Sequence, residues 1–370
     1  MKTLVRTMII IVILLMVLGA VLVFTASGTY SEVKFDNIYF LFRSHIGKLI
    51  AALLTGIVFA IIPYEKYKEY SKPMLFIIIA LLILTILLAP KFKGAARWID
   101  LGVIRFQPSE VAKLILFMHL AGMIERKGKL LKDFKHGFQY TLVWIFVVAG
   151  LVLVQPNLST SMIIIFTSFT LLYIGGGRLR HIAATLGAAS IAGGAAMMMF
   201  SHSRQRIIGF IDSINSGHVP NIQVLQAKIG LGSGGLFGVG IGQSRQSDLF
   251  LPESYGDFIF SILGEQFGLL GTIIVLTSFF ALFVIGVIIA KRAKDEYGQL
   301  LGFAISFNII ISAFINAGVV TGLLPTTGIT LPFISFGGTS IILFCASIGI
   351  LINIAHQSSK STITKVKIIE

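Results

Sequence analysis

Ten runs of mostly apolar residues, separated by polar, glycine or proline punctuation, organise this chain: 6–25, 46–63, 73–90, 108–124, 139–155, 158–175, 181–200, 258–290, 299–323 and 333–355. A bilayer's hydrocarbon core is crossed by a helix of about 20 apolar residues. The pattern therefore predicts about ten transmembrane helices, with a long extracytoplasmic loop between the seventh and eighth. The run 258–290 exceeds one bilayer thickness, which calls for tilt or for an opening stretch lying in the interface. The first run is too long for a signal-peptide core and lacks a small-residue cleavage site followed by a soluble domain, so it reads as a retained span. No appended soluble domain is expected, and 1–370 reads as one transmembrane domain.

Composition excludes the alternative of a soluble globule. The 370 residues are 55% hydrophobic and 12% charged, whereas soluble domains are roughly 25% charged. The expected fold is an all-α polytopic membrane protein. A net charge of +14 would suit nucleic acid in a soluble chain, but in a membrane protein basic residues collect in cytoplasmic loops, and no nucleic-acid partner is implied. With the N-terminus inside, 18 of the 30 Lys and Arg fall on cytoplasmic segments and 12 elsewhere, which favours cytoplasmic termini. Cys345 stands alone within an apolar run, so no disulfide or thiol cluster is available. None of the seven histidines has a metal-ligand spacing, and His119, inside a span, reads as a hydrogen-bonded core residue.

Under this topology two external segments stand out, 91–107 and 201–257. The second is far longer than a connection needs, and long loops on a rigid scaffold commonly carry function. It ends at Asp257, where a carboxylate meets the start of an apolar helix. Partial desolvation there favours a proton acceptor, while the same position suits a helix N-cap. Arg97, Arg105, Arg204, Arg206 and Arg245 lie on external segments, and guanidinium forks match phosphate oxygens bidentately. They read equally as headgroup contacts.

Gln107-Pro108-Ser109-Glu110 is a helix start with proline at the first helical position, and Lys113 follows Glu110 by three residues. A charged pair in a span should face the bundle interior or a polar cavity, as a structural ion pair or a ligand contact. Glu265, eight residues past Asp257, shares its helix face and the same two readings. The glycine run 232–242 has neither Gly-x-Gly-x-x-Gly spacing nor a Gly-Lys-Ser/Thr ending, so it reads as a loop allowing close backbone approach. Residues 325–340 interrupt the last two spans with proline, glycine and hydroxyl residues. Such backbone survives at membrane depth only when buried in protein or lining a polar cavity, as in transporters.

Together these segments resemble the SEDS family of shape, elongation, division and sporulation proteins, typified by FtsW and RodA. The resemblance runs through Arg97-Trp98 with Leu101-Gly102, Gln107 to Glu110 with Lys113, Gln155-Pro156, Gln223 with Gln226, Gly232 to Gly235, Leu251 to Phe260, Gly264-Glu265 with Gly268, and Pro325 to Ser340. Gly240 to Gln246 and the Pro-Thr-Thr-Gly-Ile-Thr-Leu-Pro block are more similar to the division-type FtsW branch than to RodA. Two departures stand out. Asn157-Leu158-Ser159 replaces the family's usual Asp-Leu-Gly, and Tyr255-Gly256 replaces the commoner His-Thr.

The resemblance implies a peptidoglycan glycosyltransferase that polymerises lipid II, an undecaprenyl-diphosphate-linked disaccharide peptide, at the outer face of the cytoplasmic (inner) membrane. It implies a class B penicillin-binding transpeptidase and other division or elongation proteins as partners. Asp257 matches the acid regarded as essential for catalysis. Arg97, Lys113, Glu110, Arg204, Arg206, Gln226, Glu253 and Ser335 are the expected contacts to the lipid II diphosphate and sugars. No nucleotide or redox cofactor is implied. A divalent cation, Mg or Mn, would share the diphosphate's charge, although the sequence offers no clear site for one. A lipid II flippase and a non-catalytic divisome scaffold are the competing readings.

Overall fold

The computed structural model describes residues 1–89, 97–100, 105–199, 201–216 and 221–369. Its helices are α1 (Lys2–Phe35), α2 (Phe40–Ile61), α3 (Tyr64–Leu88), α4 (Pro108–Lys127), α5 (Gln139–Val154), α6 (Leu158–Ile174), α7 (Leu179–Met199), α8 (Ser201–Ser216), α9 (Ile222–Ser233), α10 (Ile259–Lys291), α11 (Glu296–Val320) and α12 (Thr339–Ile369). Between α3 and α4, β1 (Ile99–Asp100) and β2 (Arg105–Phe106) pair antiparallel, with Ile99 opposite Phe106 and Asp100 opposite Arg105.

Each of the ten apolar runs coincides with a helix. Among the described residues, seven helical stretches are long and apolar enough to cross a membrane: α1, α2, α3, Phe134–Val154, α10, α11 and Thr339–Ser359 of α12; the apolar α6 is shorter. The protein is an all-α polytopic membrane protein. Burial sorts these helices, since 72% of the apolar window of α12 and 61% of that of α11 lie inside the protein, against 11% for α2. Thus α11 and α12 form the centre, and α2 offers most of its surface to lipid while gripping α12 along one edge. Gly56 and Gly349 bring those two backbones together, Gly56 against the Cys345 carbonyl and Gly349 against the Gly56 carbonyl. Small residues serve this purpose where helices cannot rely on a hydrophobic driving force.

Polar residues tie the two ends of the bundle separately. At the end where α1 begins, the Tyr64 hydroxyl donates to Asp295 at 3.0 Å and Asn353 accepts from the Tyr64 amide at 2.9 Å. There Glu65 pairs with Lys294 and accepts from Gln357, and Lys68 pairs with Glu125. Residues 97–100, 105–107, 221–258 and 321–338 gather at the opposite end.

Three expectations change. Helix α3 starts nine residues ahead of its apolar run and continues through Pro73, because its polar first turns lie among the ion pairs just described. The long external segment is itself helical in α8 and α9, which hydropathy could not reveal. The overlong run 258–290 forms one helix broken at Gly268, whose φ of 66° and ψ of −167° are accessible essentially to glycine alone.

The glycine-rich loop repairs that break. The Val239 and Gly240 amides donate to the Glu265 and Gln266 carbonyls at 2.9 and 3.2 Å, while the Gly235 and Leu236 carbonyls accept from the Leu269 and Leu270 amides at 2.9 and 3.2 Å. Four backbone groups freed by the break are thereby satisfied. A Cβ on Gly268 would overlap the Gly238 amide and the Leu236 carbonyl. Close backbone approach, the role read from the glycine run, is realised here.

Candidate functional site

The interrupted segment 321–338 is the hub around which the polar groups of this end collect. Asn316 of α11, 1% exposed, donates through Nδ2 to the main-chain oxygens of Asp257 at 2.8 Å and Ile329 at 2.7 Å. Ser159 of α6 donates to the Thr327 carbonyl at 3.2 Å. A Cβ on Gly328 would stand 3.4 Å from Asp257 Oδ2, so the half-buried carboxylate lies directly against this turn. The N-cap position of α10 falls on Phe258. The cap reading of Asp257 is therefore corrected: the helix begins one residue late for it, and the main chain is held by Asn316.

Further along the segment, the Phe336 amide donates to the Tyr255 carbonyl at 2.9 Å, and the Tyr255 ring meets Phe336 edge-on and Tyr30 of α1 at centroid distances of 5.5 and 5.4 Å. Burial, then the nearby Glu253 carboxylate, hold the Tyr255 phenol above its usual pKa. Glu253 itself has a φ of 60°, a left-handed conformation that costs a non-glycine residue about 1 kcal/mol or more and clusters at functional sites. Glu253 also lines a cavity of about 200 Å³ with Tyr30, Ser247 and Tyr255.

Cations at this end of the bundle come from α2, β2 and α4. Lys48 of α2 places Nζ 3.6 Å from the Phe336 ring centroid, a close cation–π geometry, and Arg105 of β2 lies within electrostatic range of both Lys48 and Tyr255. From α4, Lys113 Nζ pairs with Glu110 Oε2 at 3.0 Å with side chains 5% and 13% exposed, and lies 5.7 Å from the Phe344 centroid of α12. The pair faces the protein interior, as its position in a span demanded. Thr339, at the start of α12, accepts from the Gln107 amide at 2.9 Å and donates to the Arg105 carbonyl at 3.2 Å. The starts of α4 and α12 are thereby locked together.

The remaining sequence-predicted residues are placed as follows. The buried Ser335 hydroxyl accepts from the Leu331 amide at 2.8 Å and builds the turn. Arg97 donates to the Gln155 carbonyl at 3.2 Å and to that of Pro156, stapling the α5–α6 corner. Asn157, where the family usually has aspartate, accepts from the Thr160 amide and donates to Ser109 at 3.3 Å, a neutral role suited to an amide. Gln226 is half-buried on α9. Arg204 is exposed on α8, and the Arg206 side chain lies outside the described residues. His119 approaches Ser71 at 3.4 Å in the core.

Sequence reading missed Lys48 and Asn316. A lysine inside an apolar run and a buried asparagine in a central span were the available signals. Among the described residues, no group of three or more His, Cys, Asp or Glu is gathered for a metal ion. No step is routed through a divalent cation.

Helix number, the central interrupted segment and the acid beside it place the chain among polytopic membrane proteins with a polar site built at one end of the bundle. The chain belongs to the FtsW/RodA/SpoVE family of cell cycle proteins, whose model matches residues 5–360. It is 34% identical over 356 residues to stage V sporulation protein E of Bacillus subtilis, covering 95% of this chain and 96% of that one. To a probable peptidoglycan glycosyltransferase FtsW of Geobacter metallireducens it is 34% identical, covering 92% and 91%. To peptidoglycan glycosyltransferase MrdB of Escherichia coli it is again 34% identical, covering 94% and 92%. Overall identity does not sort the chain among these three. In fold it is similar to a chain of a peptidoglycan synthase complex that coordinates polymerization and crosslinking, with a TM-score of 0.77, 22% identity and coverage of 95% and 97%. The crystal structure of Thermus thermophilus RodA gives a TM-score of 0.70 at 22% identity, with coverage of 95% and 96%.

Proposed function

We propose that this protein is a peptidoglycan glycosyltransferase that polymerises lipid II at the outer face of the cytoplasmic membrane, with Asp257 as general base. The observation that carries this reading is the placement of Asp257. Its carboxylate lies against the Gly328 turn, its main chain is clamped by Asn316, and Lys48 meets Phe336 of the same interrupted segment with Arg105 in electrostatic range of Lys48.

In the reaction, Asp257 takes the proton of an acceptor sugar hydroxyl as that oxygen attacks the anomeric carbon of a lipid-linked donor. The new glycosidic bond forms while the bond to the diphosphate breaks, and its electron pair leaves on the polyprenyl diphosphate. Lys48, Arg105 and Lys113 offset the charge that develops there, and Arg204 and Arg206 of α8 meet the headgroup on arrival. Glu253, Gln226 and the turn held by Ser335 frame the sugars. Arg97 acts first as the α5–α6 staple. The basic-residue bias favours both termini in the cytoplasm and this end of the bundle outside, where a class B penicillin-binding transpeptidase would crosslink the product. The motifs at Gly240 to Gln246 and Pro325 to Pro332 favour a division role.

The test is lipid II polymerisation by the purified protein, with and without the transpeptidase. Asp257→Asn should lower turnover about 10²- to 10⁴-fold, the usual worth of a positioned base, while leaving a folded protein that still binds its partner. Unchanged glycan synthesis by this variant would sink the assignment. Movement of lipid II across sealed vesicles without elongation would establish the flippase instead.

A further inference from the structure

Glu265 lies in the broken first part of α10 and is 2% exposed. Its carboxylate accepts from four donors on two other segments: the Ser233 hydroxyl at 3.3 Å, the Ser244 hydroxyl, the Arg245 amide at 3.1 Å and the Gln246 amide at 3.3 Å. All four donors are neutral, so the group is held by converging hydrogen bonds. The buried turn at 244–247 extends this anchorage: the Ser247 amide donates to Ser244 Oγ at 3.3 Å, and the Ser247 hydroxyl donates to the Ser244 carbonyl at 2.6 Å.

From that anchor to Asp257 the chain passes through closed turns. The Leu251 amide donates to the Gln246 carbonyl at 3.1 Å, and the Gly256 and Phe258 amides donate to the Glu253 carbonyl at 3.0 and 3.4 Å. Ser254 donates to the Ala26 carbonyl of α1 at 3.2 Å. Two residues past Asp257 the chain enters α10, which carries Glu265 itself. The carboxylate thus closes a loop from Gln246 to Glu265 that contains Glu253 and Asp257.

We infer that Glu265 is the positioning residue of the site: it fixes the 244–257 segment, and through it the orientation of Asp257, without touching substrate. The inference rests on the role given to Asp257 above. Loosening such a segment misplaces the base by a fraction of its reach, and misplacements of about 1 Å cost roughly 10²-fold in rate. A group acting this way changes turnover more than substrate binding.

Two readouts on purified protein in lipid nanodiscs test this, and only one depends on activity. Glu265→Gln retains one acceptor oxygen but turns an NH2 group toward backbone donors, so it breaks part of the network with little change of volume. Hydrogen exchange of the amides at 244–257 should quicken in this variant while exchange in α11 and α12 stays at the wild-type rate. In lipid II polymerisation, kcat should fall about 10- to 100-fold with KM within about threefold. Should Glu265→Ala not fold, Glu265→Gln and Glu265→Asp carry the comparison, with Asp recovering less than half of the lost turnover because its shorter stem cannot reach all four donors. Unchanged exchange at 244–257, or wild-type kcat with faster exchange, would overturn the inference. If the wild type makes no glycan, the glycosyltransferase reading falls separately, and the exchange readout alone decides whether Glu265 holds the segment.

Discussion

Asn316 offers the sharpest test of how the site is held, because one buried amide joins the segment carrying Asp257 to the interrupted segment. Nδ2 must be the atom facing the Asp257 and Ile329 carbonyls, since Oδ1 in its place would face two acceptors. Asn316→Leu keeps the volume and removes both donors. Each bond lost is worth about 0.5–1.5 kcal/mol net, and each carbonyl left unpaired away from water costs about 1–3 kcal/mol. Asp257 is half-buried, so water relieves part of the penalty at its carbonyl, leaving about 2–4 kcal/mol in all. Asn316→Asp is worse at neutral pH, because a carboxylate then faces two carbonyl oxygens. Its deficit should narrow as the pH falls, since the protonated acid regains one donor. The assay is thermal unfolding in detergent alongside lipid II polymerisation. Both variants should unfold earlier and turn over more slowly, with Asp below Leu at pH 7. Wild-type unfolding and turnover in Asn316→Leu would refute the claim that this amide holds Asp257 in place.

Two further outcomes are expected. Glu110→Gln or Lys113→Met alone leaves a buried charge unpaired and should cost about 3–5 kcal/mol, whereas the double variant should recover most of that stability; polymerisation should stay low in all three, and an active double variant would limit the pair to structure. At the α4–α5 corner, the Asp133 carboxyl accepts from the Lys135 and His136 amides at 2.8 and 3.2 Å, and these bonds, that of His136 foremost, hold its pKa below the ordinary 3.8. A depressed carboxylate stabilises above its unfolded pKa and loses that contribution as pH falls through the folded one, so exchange protection of amides 135–138 should fade in acid in the wild type and be insensitive to acid in Asp133→Asn.

The helices of the ten apolar runs were legible because long apolar runs leave a chain little choice, and seven helical stretches among the described residues are long and apolar enough to cross a membrane. Their ends were less so. Hydropathy stops where residues become polar, yet α3 and α12 continue as helices beyond the apolar runs, and α3 carries Glu65 and Lys68 into the ion pairs of its end. Asp257 and the Lys113–Glu110 pair could be found because each is a local signal: an acid at a helix start, and two charges one turn apart in a span. Lys48 was hidden by averaging over its apolar neighbours. Asn316 was hidden, and Glu265 was noticed without its partners, because those partners lie 13 to 59 and 19 to 32 residues away, and only the folded chain brings those groups within reach.

The break in α10 also bears on electrostatics. Interrupting a helix creates a new amino-terminal end, whose outward-pointing amides carry partial positive charge and bind anions in many membrane proteins. Here the Leu269 and Leu270 amides are already occupied by the Gly235 and Leu236 carbonyls. That half-helix end is capped by the protein's own backbone, so the break in α10 serves to seat the glycine-rich loop and leaves the Leu269 and Leu270 amides closed to an anion.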